Sequence, residues 1–191
     1  LEKIDGDYAS NLQKVGLKTS DPYAMISVMG LNPSDEQKGL DIFADTIELV
    51  LNNCDNARFI VIGQGQKDLE DKNMYLSKKY LGKFLYFRGY DKFLARESVA
   101  VSDYIVLPSI FEPCGLEDLI AQIFGTIPIA SATGGLKKIN DQIDGFLYSP
   151  NDSQNLYNLI NQICNQNLTT KDNKNKMIME GAKKVHNHYS W

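Results

Sequence analysis

Apolar runs and amphipathic stretches alternate along the whole chain. Short apolar runs at 24–29, 58–62, 84–87, 104–107 and 126–130 read as strands, and 145–148 adds a shorter one. Runs of this length bounded by turn residues suit strands buried on both faces. Between them the apolar residues fall at helical spacing. Leu40, Phe43, Ala44, Ile47 and Val50 predict a helix reaching about residue 52, and Ser34 with Gln37 three residues on reads as its capping box. Helices are also predicted over 67–80 and 92–100, through Leu116, Leu119, Ile120 and Ile123, through Leu156, Leu159, Ile160 and Ile163, and over 177–189. The segment 137–142 reads as one helical turn, 149–152 as a capped loop, and 165–175 as polar and mobile. Strands alternating with helices predict an α/β domain with a parallel sheet of about six strands and helices on both faces. The unit 104–130 is strand, loop, helix, strand. Its first strand, 104–107, is expected inside the sheet, so the loop 108–115 lies at a carboxyl end, where such sheets bind ligands.

Length adds a boundary to this picture. The 191 residues suit one domain, placed at 24–191. Residues 1–23 form a leading segment in which Leu12, Val15 and Leu17 pack weakly, closed by a turn at Asp21-Pro22. The chain opens on Leu1 rather than Met and ends on Trp191, which predicts a piece of a longer protein. A net charge of −4 with no basic face argues against nucleic acid. The three cysteines, Cys54, Cys114 and Cys164, form neither a disulfide framework nor a metal-ligand spacing, which suits a reducing compartment. No targeting signal and no apolar run long enough for a bilayer are present, so a soluble protein without membrane contact is expected.

Candidate chemistry collects in loops after strands. Glu112, between Phe111 and Pro113, is held extended; it is either a ligand-binding carboxylate or a solvated loop acid. Cys114-Gly115-Leu116 stands where a helix begins, with backbone N–H groups unpaired. A nucleophilic Cys114 lacks a nearby base in sequence, so a small packed thiol is the alternative. Thr133-Gly134-Gly135 follows a strand; its amides can approach a pyrophosphate or form a plain turn. Lys38, in the expected first turn of its helix, suits a diphosphate or is a surface lysine. Tyr90 offers a stacking face for a base, or is a core residue. Gly63-Gln64-Gly65 lacks the full dinucleotide fingerprint.

The string P-S-I-F-E-P-C-G-L, at 108–116, resembles the donor-site motif of bacterial glycogen synthases and plant starch synthases. The resemblance extends to E-Q-K-G-L-D (36–41), G-Y-D (89–91), G-T-I-P (125–128) and T-G-G-L (133–136), in order over roughly 24–150. It implies the C-terminal, donor-binding half of a GT-B fold built from two Rossmann-like domains, with the acceptor domain absent from this chain. It implies a retaining glucosyltransferase that moves glucose from ADP-glucose to the non-reducing end of an α-1,4-glucan. In that reading Glu112 is catalytic and, with Cys114, Gly115 and Leu116, binds the donor sugar. Lys38, Thr133, Gly134 and Gly135 hold the phosphates, and Tyr90 packs on the base. No cofactor or metal is implied, and the compartment is cytoplasm or plastid. These 191 residues alone are expected to be inactive. One departure stands out: Pro33 occupies the place of the family's diphosphate-binding arginine. It leaves two alternatives, a degenerate, non-catalytic nucleotide-binding or interaction module, and a retaining glycosyltransferase using a different sugar nucleotide.

Overall fold

The computed structural model describes residues 24–31 (as backbone), 38–89, 91–165 and 170–189. The leading segment 1–23, the 32–37 stretch with Pro33 and the Ser34/Gln37 capping signal, and Tyr90 lie outside the described residues.

Six strands form one sheet in the order β3-β2-β1-β4-β5-β6, every neighbouring pair parallel. They are β1 (Ala24–Leu31), β2 (Ala57–Gly63), β3 (Phe84–Arg88), β4 (Tyr104–Leu107), β5 (Ile127–Ser131) and β6 (Phe146–Tyr148). The helices are α1 (Leu40–Asn53), α2 (Lys67–Lys79), α3 (Lys92–Val101), α4 (Glu117–Ile123), α5 (Ser153–Cys164) and α6 (Lys171–His188). A 3₁₀ turn spans Gly134–Lys138. Strand β4 is interior, between β1 and β5. The chain runs outward from β1 through β2 to β3, then returns to β4 and proceeds the other way. The order therefore reverses between β1 and β4, the point at which such sheets form a ligand-binding crevice.

The strands alternate their side chains between two cores. In β4, Tyr104 and Val106 join Leu40, Phe43, Ile47, Phe59, Ile129, Leu156 and Ile160 on one face. Ile105 and Leu107 join Val99, Ala121, Ala130, Leu136 and Ile139 on the other. Phe43 meets Phe59 edge-on at 6.2 Å, and each ring contributes about 1.5–3 kcal/mol by leaving water. No described helix is long and apolar enough to cross a membrane.

Three of the described helices, α3, α5 and α6, start at side-chain caps. Asp91 accepts hydrogen bonds from the Phe93 and Leu94 amides, both at 2.9 Å, and Asp152 accepts from Asn155 N at 2.8 Å. Helix α6 begins at Lys171 instead of 177, because Thr170 caps it and Lys174 pairs with Asp103. Residues 171–175, expected mobile, are thus helical. Helix α1 begins at Leu40 behind Gly39. The 3₁₀ turn begins at Gly134, three residues before the expected single turn.

Candidate active site

The site is built where Lys38 and Gly39, just ahead of α1, meet the loops after β4 and β5. Two glycines let them meet. Gly39 has φ +64°, and a Cβ there would lie 2.0 Å from the Pro108 carbonyl oxygen. Gly134 has φ +42°, and its Cβ would lie 1.9 Å from the Glu112 carbonyl oxygen. A side chain at either position would force the loops apart.

Between these approaches sits the Glu112 side chain. Lys38 Nζ donates to its Oε2 at 2.6 Å, Gly115 N to its Oε1 at 3.1 Å, and Ser109 Oγ to Oε2 at 3.4 Å. The pair is neither sealed nor free: Lys38 keeps 27% of its side chain exposed and Glu112 14%. Burial pushes the Glu112 carboxyl up, but the Lys38 hydrogen bond and charge, the Gly115 amide and the Ser109 hydroxyl outweigh it. The carboxyl titrates below its ordinary value and is a carboxylate at neutral pH.

The sequence places Lys38 in the first turn of its helix. The structure sets it one residue ahead of Gly39, whose left-handed backbone is the helix cap. Its ammonium is therefore engaged by Glu112. Gly135 also differs from expectation. Its N–H, expected to face a pyrophosphate, donates to the Glu112 carbonyl at 2.7 Å, because the loops after β4 and β5 close directly on each other. Thr133 Oγ1 donates to the Ile110 carbonyl at 3.0 Å. Cys114 and Leu116 are exposed beside Gly115. Lys38, Glu112, Cys114, Gly115, Leu116, Thr133, Gly134 and Gly135 thus gather around one loop. The loop after β2 closes on itself instead: Gly65 N donates to Glu70 Oε1 at 3.0 Å, and Glu70 pairs with Arg88 at 2.7 Å.

Two residues that sequence reasoning passed over hold this region. Asp118, fully buried in α4, lies 3.0 Å from Lys138 Nζ. Gln122, one turn further on, donates to the Asp144 backbone and side chain at 2.9 and 3.2 Å. Of the apolar residues whose spacing predicts this helix, Leu116 and Ile123 are 61% and 64% exposed. The inward face of α4 is Asp118, Leu119, Ala121 and Gln122. The available signal was a pair of polar residues four apart, one helical turn, on either side of Leu119 and Ala121.

The loop carrying the Glu112 carboxylate stands at the order reversal of a parallel sheet, the place where sheets of this kind bind ligands. Comparison with known proteins defines the class. A sequence profile described as "Glycosyl transferases group 1" matches residues 24–166, and the chain belongs to this family. A glycogen synthase of Thermodesulfovibrio yellowstonii is 32% identical over 193 aligned residues, which cover 94% of this chain and 38% of that protein. The chain thus spans well under half the length of this relative.

Two solved structures share the fold. The catalytic domain of starch synthase IV from Arabidopsis thaliana, bound to ADP and acarbose, superposes with a TM-score of 0.76 at 24% identity, over 91% of this chain and 37% of that one. Anabaena HepE in complex with UDP superposes with a TM-score of 0.74 at 18% identity, over 98% of this chain and 50% of that one. Both are GT-B neighbours, and one binds ADP, the other UDP.

Proposed function

We propose that this chain is the donor-binding domain of a glucosyltransferase of the glycogen and starch synthase type. It takes glucose from ADP-glucose and passes it, with retention, to the non-reducing end of an α-1,4-glucan. The observation that carries this reading is the Lys38–Glu112 pair at the sheet's order reversal, with Glu112 in the loop that bears the donor-site motif. The glycogen synthase likeness and the ADP bound in the starch synthase IV structure support it.

The pair supplies two charges suited to one bond cleavage. As the C1–O bond to the diphosphate breaks, positive charge grows on the sugar and negative charge on the leaving phosphate. A carboxylate at Glu112 accepts hydrogen bonds from sugar hydroxyls and stabilises the sugar. Lys38, within reach of the same crevice, turns to the phosphate. Cys114, Gly115 and Leu116 offer backbone groups to the sugar, and Thr133 to Gly135 shape the phosphate side. Tyr90, flanked by Gly89 and the Asp91 cap of α3, stacks on the base. The acceptor glucan lies against a domain that is not in this chain.

The test is Glu112→Gln in the full-length protein. The change keeps size and removes charge. Donor affinity should change little, while transfer drops by roughly a hundredfold or more. Unchanged turnover would remove Glu112 from the mechanism. These 191 residues alone should transfer no glucose, since one wall of the cleft can neither hold the acceptor nor exclude water.

Pro33 favours one alternative, a degenerate module that binds nucleotide without transfer. A charge-assisted hydrogen bond is worth about 1.5–3 kcal/mol, or roughly tenfold to a hundredfold in affinity. Pro33→Arg should therefore tighten ADP binding by that factor in calorimetry. ADP binding without transfer by the full-length protein would favour the module. The UDP bound to HepE motivates a donor screen, in which preference for another sugar nucleotide would replace ADP-glucose.

A further inference from the structure

Lys138 ends the 3₁₀ turn after β5, two residues beyond the T-G-G-L string. Its ammonium lies 2.9 Å from the Cys114 carbonyl, 2.6 Å from that of Gly115, 3.0 Å from that of Gly135 and 3.0 Å from Asp118 Oδ1. Its side chain is 16% exposed and that of Asp118 0%. Its three ammonium protons therefore go to three backbone carbonyls, while the Asp118 carboxylate is held by charge alone. Without the cation, three carbonyl dipoles and a buried carboxylate would point at one another with nothing between them.

Gly115 links this cluster to Glu112. Its carbonyl accepts from Lys138, and its N–H donates to Glu112 Oε1 at 3.1 Å. It sits at φ +66°, with Leu136 and the Glu112 stem packed around it. The peptide that orients the carboxylate is thus fixed from behind by the lysine. We propose that Lys138 is a positioning residue for sugar transfer: it fixes the Gly115 backbone, and through it the Glu112 carboxylate, without touching the sugar. This rests on the glucosyltransferase reading above.

The experiment uses the full-length protein. Lys138→Met alone would strand the buried Asp118 charge and could unfold the domain. It is therefore combined with Asp118→Asn, and Lys138→Arg is made beside it. Amide hydrogen exchange, ADP affinity and kcat are measured on each. In the double variant, exchange in peptides covering 109–116 and 133–137 should rise about tenfold while the rest of the sheet is unchanged. The kcat should fall by roughly a hundredfold, as expected when a catalytic group is displaced, with ADP affinity held within about twofold. Lys138→Arg, which keeps the charge, should recover part of the kcat. Two results overturn the proposal: exchange and kcat like those of the unaltered protein, or faster exchange across the whole sheet with ADP affinity and kcat falling together. If the unaltered protein transfers no glucose, the transferase reading fails separately. Local exchange then decides: a rise confined to the two loops upholds the role of Lys138 in setting Glu112, and no rise overturns it.

Discussion

Helices α1 and α4 follow the two strands between which the sheet order reverses, yet different forces hold them. Helix α1 is 14 residues long and buries Leu40, Ile42, Phe43, Ala44, Ile47, Val50 and Leu51. Its buried polar residue, Thr46, donates to the Ile42 and Ser153 carbonyls at 2.8 and 3.2 Å. Helix α4 has seven residues and buries Asp118 and Gln122 with Leu119 and Ala121. Behind it Asp144 receives Lys184 at 2.8 Å and Asn140 Nδ2 at 2.6 Å, besides Gln122. Apolar contact is non-directional and forgives small changes of shape. Hydrogen-bonded charges are directional and costly to leave unpaired. The helix nearest Glu112 is thus fixed in orientation by polar contacts, and the scaffold helix is fixed in place by area.

The contrast breaks most sharply at Asp118. Asp118→Ala leaves Lys138 without its carboxylate and should cost about 3–5 kcal/mol in urea unfolding. Asp118→Leu combined with Lys138→Met should return much of that loss. A loss well below 1 kcal/mol for the single change would mean that α4 is held as α1 is. On α1, Ile47→Val removes one buried methylene and should cost about 0.5–1.5 kcal/mol. A cost like that of Asp118→Ala would erase the distinction.

The smallest effect is a difference in pH slope. The Glu112 carboxyl lies below its ordinary 4.5, so its contribution is present above that value and is lost as pH falls through the folded value. Burial first, opposed by Lys138 and Lys184, holds Asp118 above its ordinary 3.8. Its contribution is therefore greatest below 3.8 and declines as pH rises through the raised value. Glu112→Gln should flatten the acid-side fall in stability, and Asp118→Asn should steepen it. Unfolding midpoints across the carboxylate range check both signs, and equal slopes in the two variants would show that the carboxylates do not differ in this way.

The same division explains what the sequence could disclose. The buried face of α1 and the interior place of β4 followed from period and alternation, because apolar burial repeats with the geometry of the element. The burial of Asp118 and Gln122 did not, because their partners Lys138 and Asp144 lie about twenty residues on and obey no period. The loop with Glu112 was legible through its motif. The pairing of Lys38 was not, because Gly39 caps the start of α1 and leaves Lys38 ahead of the helix instead of in its first turn. Gly134 and Gly135 were legible as a special turn, but their close approach to the Glu112 loop is a tertiary contact without a local signature.

All six strands run the same way, so the segments entering them emerge at the opposite end of the sheet from the crevice. Leu81, ahead of β3, is 82% exposed there. The five residues of β3 separate that end from the site loops by roughly 16 Å. A fluorophore or a surface tether attached through Leu81→Cys would hang from the back of the domain, leaving the crevice facing open solution.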